Sequence, residues 1–166
     1  MHRMSGASAN LALVCMALAM AAAAPAFAQS DEETSARLDA LFGAHEPYEA
    51  FLATLKDAVL AEDKSSVAAL IAYPLAAKIA GEPVTFGSEE DVVWRYDRLF
   101  TPPVVAAVED QTYATLFATA EGVMIGDGEI WFGGICGDDA CSEVSVKIIA
   151  VNPPDGAPGR PEGADR

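Results

Sequence analysis

The sequence is poor in positive charge, in histidine and in cysteine, and each shortage sets aside a class of function. Ten Lys and Arg face 25 Asp and Glu, a formal net charge of −15. Such a field repels nucleic-acid backbones and anionic lipid surfaces, so no nucleic-acid or membrane-surface partner is expected. The histidines are His2 and His45. With one histidine outside the leader, no cue places a serine beside it for a Ser/His/Asp set. The three cysteines, Cys15, Cys136 and Cys141, do not make a zinc set with His45 so far away in sequence. There is no G-x-x-x-x-G-K-S/T phosphate loop. The D-x-D-x-D-G spacing of a calcium loop, with its glutamate at the twelfth position, is missing too. No cofactor and no metal are expected.

What is present begins with a leader. Residues 1–28, MHRMSGASANLALVCMALAMAAAAPAFA, carry a positive head at His2 and Arg3, an apolar stretch over Leu11–Met20 and a small-x-small ending at Ala26-Phe27-Ala28. This reads as a secretory signal peptide cleaved after Ala28, which predicts export to the periplasm. Cys15 has no small residue just before it and is not read as a lipoprotein site. Removing the leader removes Arg3, leaving nine basic against 25 acidic residues, a charge of −16. Acidity of that size keeps an exported protein in solution. In an oxidising compartment the C-x4-C pair Cys136/Cys141 predicts a disulfide. A loop so short gains about 2 kcal/mol from the bond, so it stiffens a loop rather than holding the domain.

The remaining chain divides into a polar, flexible segment at 29–37, one domain at 38–152 and a Pro/Gly-rich disordered tail at 153–166. Tyr48, Phe51, Leu52, Leu55 and Val59 recur at helical spacing behind Pro47. A shorter helix is expected at Lys64–Ala72, stopped by Pro74. Two short strands flank a turn at Ala80–Pro83. Ser88 and Asp91 have capping-box spacing ahead of a helix whose buried side holds Val92, Val93, Tyr96, Leu99 and Phe100. Thr101-Pro102 restarts a helix with Val104, Val105 and Val108 inward. From Tyr113 to Ala118 and again from Glu143 to Val151 the period falls to two, as in strands; Val144, Val146, Ile148 and Ala150 share a face in the second. Helices first and strands later predict α+β: a curved antiparallel sheet packed on N-terminal helices.

The run GVMIGDGEIWF is read as a hairpin about Asp127-Gly128. That register sets Ile125 opposite Ile130, Met124 opposite Trp131 and Val123 opposite Phe132. Val123, Ile125, Ile130 and Phe132 then make one apolar face, Met124 and Trp131 the other. An exposed Met/Trp face is a contact candidate.

The order of elements and the phrases AYPL, YDRLF, TPPV and GVMIGDGEIWF resemble small exported bacterial proteins of the NTF2-like, or cystatin-like, superfamily. The likeness covers about Glu46–Asn152 and implies helices resting in a strongly curved sheet. Many functions share that fold, so it transfers no activity by itself. Superfamily isomerases, dehydratases and cyclases use acids or histidines inside the cone, with a tyrosine or a second acid as donor. Asp57, Asp97, Tyr73 and Tyr96 are the nearest equivalents here, yet Asp57 and Asp97 fall off the apolar stripes of their helices. The expectation is a module without a catalytic set, which binds a small apolar ligand or an envelope protein, or dimerises through its sheet. Met124, Trp131, Tyr73 and Tyr96 are its contact residues. The alternatives are an isomerase or hydratase with an acid such as Asp57, Asp97 or Glu121 in the cone, or an acidic inhibitor of a basic partner.

Overall fold

In the computed structural model the described residues are 30–154. The leader and residues 155–166 of the expected tail lie outside them. The first described element corrects an expectation. The polar composition of residues 29–37 predicts a flexible segment, but helix α1 runs over Asp31–Phe42. Ser30 and Glu33 form a reciprocal capping box at its start, and Gly43, at φ 89°, ends it. A cap of this kind stabilises by about 1 kcal/mol, and Asp31, Glu32 and Glu33 suit the positive end of the helix dipole. The helix is held to the distant chain by polar bonds as well as by Leu38. Thr34 donates to the Ala114 carbonyl at 3.0 Å, and Arg37 donates to the Leu116 carbonyl at 3.2 Å.

Helix α2, Glu46–Leu60, buries Tyr48, Phe51, Leu52, Leu55 and Val59, the stripe read from the sequence. Helix α3 is Lys64–Ala69, capped by Asp63, whose carboxylate accepts from the Ser66 amide at 3.0 Å. Strands β1 (Leu75–Ile79) and β2 (Glu82–Phe86) pair antiparallel about Ala80-Gly81, both at positive φ. The expected helix over 88–100 is broken in two, α4 at Glu89–Trp94 and α5 at Tyr96–Leu99, with Arg95 at the joint. The break rotates the faces: Val92, Tyr96, Leu99 and Phe100 are buried, whereas Val93 is exposed. Helix α6, Pro102–Asp110, buries Val104 and Val108.

The second half supplies β3 (Phe117–Thr119), β4 (Gly122–Ile125), β5 (Ile130–Cys136) and β6 (Val144–Val151). The expected strand from Tyr113 shrinks to β3. Residues 113–115 instead form a turn, closed by a bond from the Leu116 amide to the Tyr113 carbonyl at 3.1 Å. The hairpin register holds: Val123 faces Phe132, Met124 faces Trp131 and Ile125 faces Ile130. Its connection is four residues, Gly126–Glu129, rather than the tight two. Gly126 and Gly128 take φ of 65° and 116°, which favours glycine at both.

The α+β class is borne out, with helices on one side of a curved, unclosed sheet. Its order is β2-β1-β6-β5-β4-β3. The sheet is mixed, not antiparallel throughout, because β1 runs parallel to β6. β6 also departs from strict alternation. A bulge between Trp131 and Phe132 aligns them with Ala150 and Ile148, so Ile149 is the extra residue. Ile148 and Val151 therefore face the core, and Ala150 lies beside Trp131 on the far side. The space between helices and sheet is filled by Phe51, Leu55, Val67, Phe86, Ile130 and Phe132. The Phe51 and Phe132 rings stack at 4.9 Å between centroids. Each such side chain stabilises by about 1.5–3 kcal/mol on burial.

Candidate functional site

The four contact candidates do not converge. Met124 and Trp131 are neighbours on the face of the sheet that points away from the helices, since their strand neighbours Val123, Ile125, Ile130 and Phe132 are fully buried. Met124 Sδ and Trp131 Nε1 both come within 3.7 Å of where a Cβ on Gly128 would stand. The register extends this pair into a row across four strands. Phe117 faces Met124, Met124 faces Trp131, and Trp131 faces Ala150. Phe117 is 50% exposed. Ile149, displaced by the bulge, reaches over Gly122 and Gly133 beside the row. None of the four residues of the row is charged, which suits a desolvating contact.

Tyr96 and Tyr73 belong to the helical side. Tyr96 is buried and stacks on Phe100 at 4.7 Å, with Lys64 Nζ 5.1 Å above its ring. Burial, then the charges of Asp97 and Glu62, push its hydroxyl up to about 12. It borders a cleft of about 250 Å³ with Val59, Glu62, Lys64 and Asp97. Tyr73 is half-buried and donates to the Ala68 carbonyl at 2.9 Å. Burial first, then Glu89, Glu90 and Asp91, raise it to about 12 as well. Both phenols therefore stay neutral at physiological pH and act as donors or packing, not as bases.

The acids weighed for catalysis do not enter the core. Asp57, Asp97 and Glu121 are all exposed, and Asp97 is paired with Lys64 at 2.8 Å. His45 ends the α1–α2 turn, where its Nδ1 lies 2.8 Å from Asp39 and 3.9 Å from Glu46. These are three metal-type side chains with ligand atoms within 4.8 Å of one another. The His45 nitrogen nearest the carboxylates is already hydrogen-bonded to Asp39, which ties the start of α2 to α1. Cys136 and Cys141 stand at disulfide distance, with Cα atoms 4.7 Å apart.

A cleft of about 540 Å³ lies between α6 and the β4–β5 turn and includes Asp110, Asp127 and Glu129. Its buried polar group, Gln111, is fully engaged. The amide nitrogen donates to the Thr112 carbonyl and to Thr115 Oγ1, and the amide oxygen accepts from Gly126 N–H, each at 2.9 Å. Gln111 thus anchors the hairpin turn to α6, with both of its amide hydrogens taken.

One surface residue escaped the sequence reading. Trp94 is 88% exposed at the end of α4, beside exposed Val93. The signal was there: Trp94 lies about half a turn from Val92 and Tyr96 around the helix, away from the buried stripe. No family model, curated protein or solved structure matches the chain.

Proposed function

We propose that this protein is an exported acidic module of the NTF2-like kind that works by contact rather than by catalysis. The observation that carries the reading is the charge-poor row Phe117–Met124–Trp131–Ala150 on the side of the sheet away from the helices. A second copy is the occupant that fits it best. At a net charge of −15, two copies can meet closely only where charge is sparse. The dense packing of Phe51, Leu55 and Phe132 weighs against the alternative of an apolar ligand held inside the cone. The exposure of Asp57, Asp97 and Glu121 weighs against the alternative of an isomerase or hydratase with one of these acids in the cone. Export to the periplasm rests on the leader pattern at residues 1–28 and agrees with the Cys136/Cys141 pair.

Sedimentation equilibrium of the leaderless chain tests the contact. A dimer that Trp131→Ala weakens by about 30-fold or more, the scale of a central tryptophan anchor, is the expected result. A chain that stays monomeric at high concentration, with no response to Trp131→Ala, removes the proposal.

A further inference from the structure

A second surface, separate from the sheet face, has different chemistry. Trp94 projects from α4 with its ring 88% exposed. Beside it lies a cleft of about 330 Å³ bordered by Ser65, Glu89, Glu90, Val93 and Trp94. Glu89 and Glu90 take part in no ion pair among the described residues. Two basic residues of this region, Arg95 and Lys64, are already committed. Arg95 turns back onto the Phe86 ring at 4.2 Å and lies 3.4 Å from Asp91, and Lys64 pairs with Asp97. The patch therefore offers an open indole face, an aliphatic neighbour and two carboxylates with no basic partner among the described residues, that of Glu90 accepting a hydrogen bond from Ser88.

We infer that this patch docks an arginine presented by a basic segment of a partner protein. A guanidinium is planar and weakly hydrated, so it can lie on an indole while its N–H groups reach a carboxylate. An uncharged apolar segment would leave Glu89 and Glu90 unpaired at the contact, and a second copy of this chain would add more negative charge. Arginine answers the aromatic and the acidic features together; an ammonium is a point charge that cannot stack in the same way.

The test uses a short labelled peptide alternating arginine with leucine, matched to versions with lysine or glutamate in place of arginine. The protein carries Trp131→Phe, which makes Trp94 the sole indole. The expected result is saturable binding with a shift in Trp94 emission, strongest for arginine, weaker for lysine and absent for glutamate. Glu89→Gln with Glu90→Gln should weaken arginine binding about tenfold or more, on the scale of one lost hydrogen bond to a charged group. Removing two acids from the β5–β6 connection, Asp139→Asn with Glu143→Gln, should change it less than about threefold. Trp94→Ala should abolish binding read by peptide anisotropy, and its exposure means the fold is kept. Equal losses from the two double variants would show plain attraction to an acidic protein and overturn the proposal. So would binding without a change in Trp94 emission, or no binding of the arginine peptide.

Discussion

Trp131 and Trp94 are the two tryptophans of the chain, and they sit in opposite settings. Trp131 is fixed in β5, flanked across the sheet by Met124 and Ala150, in a row of uncharged residues. Trp94 hangs from the last residue of a six-residue helix that opens with Glu89, Glu90 and Asp91. The side chain is the same, so its surroundings decide what it can recognise. A rigid neutral row suits a self-complementary partner, because burying it strands no charge. An exposed indole among carboxylates suits a cation and repels a copy of itself.

The largest test of this contrast compares adjacent residues of β5. Phe132→Ala empties the core beneath α2 and should cost about 3–5 kcal/mol in urea unfolding. Trp131→Ala, on the other face, should cost less than about 1.5 kcal/mol when measured dilute enough to hold the monomer. Similar losses would mean that Trp131 holds the fold together, and the row would lose its standing as a contact surface. Salt gives the next sharpest division. Raising it from about 0.05 M to about 0.5 M should weaken arginine-peptide binding at Trp94 severalfold while leaving sheet-face association unchanged or stronger. A parallel response of both would erase the distinction.

The smallest effect concerns His45, which serves as a control remote from either tryptophan in sequence. The hydrogen bond with Asp39, then the charges of Asp39, Glu46 and Glu49, raise His45 above 6.5. A raised histidine supports the fold fully below its unfolded value of 6.5 and loses that support as pH rises through the raised folded value. Amides of α1 should therefore exchange faster above that value, after correction for intrinsic pH dependence, and Asp39→Asn should flatten the profile. Emission from the two tryptophans should not follow the same titration.

The sequence was most readable where a local period and a turn agreed. The register Val123–Phe132, Met124–Trp131 and Ile125–Ile130 followed from alternation and a glycine-rich reversal alone. The stripe of α2 was equally plain, because Tyr48, Phe51, Leu52, Leu55 and Val59 repeat over about three turns. What stayed hidden depends on distant partners or single-residue irregularities. Helix α1 has only Thr34 and Leu38 buried, so its apolar period is faint, and its one clear sign was the spacing of Ser30 and Glu33. The bulge at Ile149 put Ala150 on the other face, and nothing within β6 announces the shift. The parallel contact of β1 with β6 joins segments from opposite halves of the chain. The site was half visible: Met124 and Trp131 could be paired by register, but Phe117 joined them only once β3 was placed. Trp94 leaves no periodic signal, because it sits opposite the buried side of its helix, where a single exposed residue breaks no pattern.

The last strand in chain order, β6, lies in the middle of the sheet, between β1 and β5. A polypeptide fed out from its first residue, by a ribosome or through a translocation pore, carries two half-sheets with nothing to join them until Val144–Val151 emerges. Ile71 must then find Ile148 across most of the domain. Encounters that distant are slow, because the intervening loop has to close before any contact rewards it. Arrival of that closing strand, more than any early helix, sets when the molecule becomes whole, and until then the core sides of both halves are open to whatever escorts the chain.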